Sequence, residues 1–475
     1  MVVGEIVHHS DLLVIGGGPG GYVAALHAAG LGLDVTLVER HRLGGVCLQH
    51  GCIPSKAWIS AAADYHRAQG LAELGLPLER GEPDIRRLRD FTRQTVERLT
   101  NGVATLLKAR HVHVVQGTAR LIGPTSAEVE GPEGRQIHHF RHAILATGSR
   151  ALEPEGLQAD QKQVILPQGF FELEALPDHL VIVGAGYIGV ELGMAAARLG
   201  GRVTMIEALP RALSGLSPSL VEPVLRRMKQ LGIELRLGAR IESVQRGAGG
   251  VGLSLAVEGG KAEVSGDVVL LAVGRRPNVE EIGLEAVGLP AEGFIAVDEQ
   301  LRTALPSILA VGDVTGPPLL AHRAEAQGRV AAEVAAGRPA AFAPQAMPAV
   351  VYSDPEIAVA GLSFEQAEAL GHKVARGRFP LRALGRALAG RAGDGFAEVY
   401  ADEASGVLLG GAIVGEHASD LISELVLALE MGATLEDIAD TVHPHPTFSE
   451  AWGEAALAGL GQPLHTVRQE GSPWV

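Results

Sequence analysis

Cysteine is almost missing from this chain: 475 residues hold two, Cys47 and Cys52. A polypeptide this long can bury a large core without covalent help, which disfavours a purely structural staple. Two thiols with no second pair nearby do not close a tetrahedral metal shell, so no metal is expected. Basic residues are also in deficit, with 40 Lys+Arg against 55 Asp+Glu and a net charge of −15. That balance argues against nucleic acid as a partner and for a self-repelling surface. No uninterrupted apolar run reaches the length of a membrane span, so no membrane association is expected. The opening MVVGEIVHHSDLLVIGGG has no basic region before its apolar stretch, which reads as no signal peptide and a cytoplasmic location. Lysine is scarce beside arginine, a bias of genome or temperature more than of function.

What is present begins with the segment holding both thiols, GGVCLQHGCIPSK, from Gly44 to Lys56. Two cysteines with four residues between them in a glycine-flanked turn can cycle between dithiol and disulfide. Pro54 suits a first helical position, so Cys52 is expected just before a helix N-terminus, where the helix dipole favours a thiolate.

Upstream lies DLLVIGGGPGGYVAALHAAGLGLDVTLVER, Asp11 to Arg40. An apolar strand meets Gly16, Gly18 and Gly21; a helix follows, and a second strand ends in Glu39. The glycines permit a tight turn and let backbone amides approach a pyrophosphate at a helix N-terminus, while the terminal acid accepts ribose hydroxyls. The same order recurs at LVIVGAGYIGVELGMAAARLGGRVTMIEA, Leu180 to Ala208, with Gly184, Gly186, Gly189 and Glu207. Gly18 to Glu39 and Gly186 to Glu207 are equal steps, so two dinucleotides are expected on one chain. Glu207 favours NAD over NADP by repelling a 2′-phosphate, although Arg211 lies close by.

Three further segments read as strand ends stopped by glycine: AILATGS (with Thr147 and Gly148), LLAVGRRPN (with Gly274) and ILAVGDV (with Asp313). Ligands meet parallel sheets at such carboxyl ends. Asp313 is a plausible contact to ribityl or phosphate oxygens, or a turn and cap residue.

With these motifs in place the chain resembles the pyridine nucleotide–disulfide oxidoreductases, and among them the dihydrolipoyl dehydrogenase branch. The resemblance spans about Asp11 to Gly461 and is most specific at GGVCLQHGCIPSK and at HPHPTFSE, His443 to Glu450. It implies an α/β fold with two Rossmann-like dinucleotide-binding domains and a C-terminal α+β dimerisation domain. The implied boundaries are 1–150 for the first part of the FAD domain, 151–274 for the NAD domain, 275–345 completing the FAD domain and 346–463 for the interface domain. Residues 464–475 read as a tail.

The resemblance assigns FAD to the first glycine turn and NAD to the second. Cys47 becomes the thiol that exchanges with lipoamide, and Cys52 the one facing the flavin. Lys56 becomes a positive charge near the flavin with Glu191 as its partner; otherwise Glu191 is a solvated helix residue. LLAHRAEAQG would open a helix at Ala321 near the ring. His445 becomes the general base, oriented by Glu450, as suits proton removal from a thiol near neutral pH. A local reading competes: Thr447 to Glu450 also fits a capping box. His443 is the runner-up base or a structural residue.

The implied activity oxidises dihydrolipoamide with reduction of NAD to NADH. It would be carried out by a homodimer bound to the dihydrolipoyl acyltransferase of a 2-oxoacid dehydrogenase complex. Glutathione reductase is the nearest alternative: Tyr187 resembles its aromatic lid, but Ser55 stands where that family has a second lysine. A non-catalytic subunit binding the acyltransferase core is the alternative of another class. Helix is expected over Asp84 to Arg110, with Val96, Leu99, Val103, Leu106 and Leu107 facing the core.

Overall fold

A computed structural model describes residues 6–77 and 81–466; most of the expected tail, 467–475, lies outside the described residues. The chain divides into two units. One gathers the chain up to Asp64, Ala72–Leu176 and Leu270–Ala343; the other gathers Tyr65–Leu71, Pro177–Val269 and the chain from Pro344.

The first unit is built on a sheet whose order is His113–Gln116, Val35–Glu39, Ile6–Ile15, Gly134–Leu145, Ser126–Gly131, Thr118–Gly123. Ile6–Ile15 pairs in parallel with Val35–Glu39 on one side and Gly134–Leu145 on the other. Ile308–Ala310 adds in parallel beside the end of Gly134–Leu145. Leu12, Leu13, Val14, Leu37, Ile144 and Leu145 are fully buried. Such continuous aliphatic runs are what a parallel sheet covered on both faces demands.

Helix Pro19–Gly30 packs closely on helix Ala321–Ala335. A Cβ on Gly328 would lie 2.4 Å from the Gly20 carbonyl oxygen, so only glycine permits this approach. Two glycine-stopped segments also join, because Ser149–Ala151 and Arg275–Pro277 form an antiparallel ribbon.

Helix Ile85–Ala109 forms as expected, with the Asp84 carboxylate accepting from the Arg87 amide at its N-terminus. Val96, Val103 and Leu107 are buried, but Leu99 and Leu106 are 40% and 55% exposed. The core-facing stripe is therefore narrower than the sequence spacing suggested. With Phe91 these two leave an apolar strip uncovered within the chain.

In the second unit, His179–Val183, Arg202–Ile206 and Glu234–Arg236 pair in parallel, with helix Tyr187–Arg198 following the first. An antiparallel ribbon follows, Arg240–Gly247, Gly250–Val257 and Gly260–Gly266. The C-terminal sheet is antiparallel, in the order Ala349–Val351, Glu356–Gly361, Leu408–Gly415, Phe396–Asp402, Val374–Pro380. Helices Ala418–Glu430, Leu435–Asp440 and Glu450–Gly459 cover it. Trp452, Phe379, Ile413 and Leu425 meet in the core between them. Truncating a side chain as large and enclosed as Trp452 costs about 3–5 kcal/mol, so the last helix is held firmly in place.

Candidate active site

Both glycine turns fold alike. Gly16 and Gly184 have φ of 108° and 104°, values that L side chains rarely adopt. Gly18 and Gly186 each cap a 12-residue helix, and neither helix has a side-chain cap. The first-turn amides and the positive end of each helix are thus left for an anion. A Cβ on Gly21 would lie 1.8 Å from the Gly16 oxygen, and one on Gly189 2.0 Å from the Gly184 oxygen.

The terminal acids are also held alike. Glu39 accepts from the amides of Gly17 and His41, both at 2.7 Å. Glu207 accepts from those of Ala185 at 2.7 Å and Leu209 at 2.9 Å. A carboxylate has about four acceptor positions, so each keeps capacity for ribose hydroxyls. Both turns therefore fit a dinucleotide. Arg211 donates to the carbonyl of Ser214 at 3.2 Å.

The cysteine segment departs from the expected turn. Cys47 lies inside a short helix, Gly45–His50, and Cys52 is itself the first residue of helix Cys52–Gln69, with Gly51 between them. Pro54 is consequently the third residue of that helix and not its first. Its missing amide is still harmless there, since the first four helical N–H groups have no intrahelical partner.

Gly44 donates its amide to the Gly17 oxygen at 2.8 Å. A Cβ on Gly45, whose φ is 56°, would come within 2.6 Å of the Gly18 Cα. Glycine at both positions lets the Cys47 helix rest directly on the first dinucleotide turn. Gln49 secures its far end by donating to the Leu43 carbonyl and to Thr100. Trp58, fully buried, pins the Cys52 helix against Phe170 at 4.9 Å and Phe171 at 6.2 Å.

Both cysteines are free thiols, joined by a side-chain hydrogen bond. That bond, together with burial, pushes the Cys47 thiol well above its usual range; the charge of Glu325 adds to the rise and that of Lys56 opposes it. Tyr22 faces the same place, its hydroxyl donating to Glu325 at 3.5 Å. Burial and the Glu325 charge push its phenol up to about 12.

Neither Tyr22 nor Glu325 was found from the sequence. The close helix pair that brings them together was signalled only by Gly20 and Gly328, which have meaning once the helices are known to touch.

Thr147 and Asn278 lock the strand ends of the first unit. The Thr147 hydroxyl donates to the Asn278 carbonyl at 2.7 Å, and the Asn278 amide group to the Thr147 carbonyl at 2.8 Å. Gly148, at φ 69°, follows. Asp313 sits in a 3-10 turn and accepts from Ser149, which itself accepts from Arg275 at 2.8 Å. Gln327, 1% exposed, accepts from the Gly312 amide and holds that turn. Gly274, at φ 123°, accepts from the Leu152 amide. Ala321 begins its helix, again without a side-chain cap.

In the second unit Glu191 is 4% exposed, not solvated, and accepts from the Tyr352 amide at 3.0 Å. Tyr187 opens its helix and is 44% exposed. His445 Nδ1 meets Glu450 Oε1 at 2.8 Å, with the His445 side chain 79% exposed. The other oxygen, Oε2, accepts from the Thr447 amide at 2.8 Å. Glu450 thus both holds the His445 ring and forms the acidic half of a cap. The reciprocal half is absent: the Thr447 hydroxyl donates to the Pro444 carbonyl, and Ser449 is the N-cap.

Burial opposes ionisation of Glu450. The hydrogen bonds from His445 and the Thr447 amide, with the charges of His445 and His443, nevertheless hold its carboxyl below the usual range. His443 is the other half of an unforeseen pair, with Nε2 2.7 Å from Glu424 Oε1.

Residues 10–328 match the family model described as pyridine nucleotide-disulphide oxidoreductase, and residues 347–456 match its dimerisation domain. The chain belongs to this family. Its curated relatives include dihydrolipoyl dehydrogenase 2 of Haloarcula marismortui, 44% identical, and dihydrolipoyl dehydrogenase of Geobacillus stearothermophilus, 42% identical. Each match covers 98% of this chain and all of the relative. Among solved structures, LpdA of Mycobacterium tuberculosis aligns with a TM-score of 0.87 at 28% identity, covering 94% of this chain and 99% of that one. The flavoprotein disulfide reductase RclA of Escherichia coli, at 24% identity and a TM-score of 0.83 over the same shares, has the same fold. Membership makes the chain an oxidoreductase with a dimerisation domain. Among the described residues no helix is long and apolar enough to cross a membrane.

Proposed function

We propose that this oxidoreductase is a dihydrolipoyl dehydrogenase: dihydrolipoamide and NAD⁺ give lipoamide, NADH and a proton. The observation that carries the reading is the pair of free thiols, Cys47 and Cys52, at the junction of two helices, the first of which rests against the first dinucleotide turn. The names of the full-length relatives narrow the substrate to a dithiol carrier.

Residues 1–150 and 275–345 are assigned to FAD, with Gly16, Gly18, Gly21, Glu39, Lys56, Thr147, Gly148, Asp313 and Ala321 as its holders. Residues 151–274 are assigned to NAD, with Gly184, Gly186, Gly189, Glu191, Glu207 and Gly274. Bound FAD supplies the two-electron relay between the dithiol and the nicotinamide.

The protein's own part is thiol chemistry. His445, with Nδ1 held by Glu450, presents Nε2 to take a proton from dihydrolipoamide. The resulting thiolate attacks Cys47 Sγ, breaking the Cys47–Cys52 disulfide and leaving Cys52 as the thiolate. The second substrate thiol then attacks the sulfur bonded to Cys47. Lipoamide closes its ring, and the enzyme keeps two electrons as a dithiol.

The interface domain, 346–463, is assigned to a homodimer in which His445 serves the thiols of the other subunit. The acidic surface suits docking to the acyltransferase subunit of a cytoplasmic 2-oxoacid dehydrogenase complex.

The test is turnover with lipoamide and NADH against glutathione disulfide and NADPH. Preferential lipoamide turnover is expected, and preference for glutathione disulfide with NADPH would overturn the assignment. Cys47→Ser should keep bound flavin yet lose lipoamide turnover. His445→Gln should lose about 10²- to 10⁴-fold, the usual worth of a general base.

A further inference from the structure

We propose that Glu424 and His443 form a positioning pair behind the His445–Glu450 dyad, holding the His443 imidazole against the helix that carries Glu450 and so tuning the dyad for its work as a base. This rests on the assignment of His445 as base.

His443 is the most enclosed histidine of the HPHPTFSE segment, with its side chain 9% exposed against 79% for His445. Its Nε2 meets Glu424, on helix Ala418–Glu430, at 2.7 Å. Its other face rests on the helix that carries Glu450. A Cβ on Gly453 would lie 3.1 Å from His443 Nδ1, so glycine at that position gives the imidazole its place. Glu450 and Gly453 are three residues apart and share one helix face. The two helices are tied directly, because Trp452 donates its indole N–H to the Leu421 carbonyl at 3.1 Å. Two carboxylate–imidazole pairs, Glu424 with His443 and Glu450 with His445, thus meet on the helix Glu450–Gly459.

The groups that face His443 are Glu424 from one helix, Glu450 from the other and the Thr441 backbone of its own segment. The hydrogen bond to Glu424 raises its proton affinity against the opposing effect of burial, and the Glu424 and Glu450 charges add to the rise. A charged His443 in turn helps keep Glu450 ionised. Losing that charge makes Glu450 easier to protonate and the His445 imidazolium easier to keep. The free base then emerges only at higher pH.

The experiment is the pH profile of kcat/KM for dihydrolipoamide, measured on flavin-loaded His443→Gln and Glu424→Gln dimers. Both variants should move the acid limb upward by about half a pH unit, about threefold in rate on that limb. Glu424→Gln keeps the side-chain shape and tests the charge apart from packing. Loss by one constant factor at every pH, or no change in either variant, would overturn the positioning role. Failure of the base assignment shows itself separately, as full activity of His445→Gln with the acid limb intact.

Discussion

The two glycine turns of this chain match each other in backbone and in the grip on their terminal acids, yet they differ in everything packed around them. The first helix opens with Pro19; the second opens with Tyr187, which is 44% exposed. Two residues beyond the last glycine, the first helix has Val23 where the second has the buried Glu191. The first turn also receives the Cys47 helix through Gly44 and Gly45. Even the leading strands differ, Ile6–Ile15 having ten residues and His179–Val183 five. Backbone physics dictates the phosphate-binding turn and repeats. Neighbouring side chains decide what chemistry each turn can join, and they do not repeat.

The comparison breaks most sharply at its shared glycines. Gly21→Ala drives a Cβ into the Gly16 carbonyl and should yield protein without bound flavin, read from visible absorbance. Gly189→Ala makes the equivalent clash in the second turn. It should leave the flavin in place while weakening NAD⁺ by at least about tenfold, about 1.4 kcal/mol, measured by titration. Equal flavin loss in both variants would erase the assigned division of labour.

Glu207→Gln keeps an acceptor for the Ala185 amide but removes the charge. The preference for NADH over NADPH should fall by about tenfold, measured as the ratio of kcat/KM values. The same change at Glu39 should leave that ratio alone.

The smallest effect concerns strand Gly134–Leu145, where it pairs with the extended first strand. His138 is 1% exposed and stacks on His8 with ring centroids 4.8 Å apart. Burial, aided by the charges of His8 and His113, lowers its pKa to about 4 from an ordinary 6.5. The unfolded chain therefore binds the extra proton more readily between those values, and stability should decline as pH falls from about 6.5 toward 4. His138→Gln should flatten that slope of Tm against pH; an unchanged slope would remove His138 as its source.

Much of this was legible in the residues. Strand, glycine triplet, helix, strand and acid specify a dinucleotide turn because only glycine satisfies its φ angles and close approaches, and both turns form. The helix from Ile85 announced itself through its spacing and the Asp84 cap. Pro54 misled by two positions, because helix Cys52–Gln69 begins at a residue with no capping signal of its own. Leu99 and Leu106 misled too, since periodicity locates a face but not how wide the cover over it is. The Tyr22–Glu325 and Glu424–His443 pairs were out of reach, each joining residues from separate helices or loops that only packing brings together.

By itself the sequence determined the turns, the close spacing of the two cysteines and the alternation of strands and helices, all of which follow from local backbone geometry and short-range spacing. Tertiary structure alone decided that burial and the Cys52 contact push the Cys47 thiol up, that Glu191 is buried and that His443 lies against the helix carrying Glu450. Those properties depend on burial and on the charges of distant segments, which no local pattern encodes.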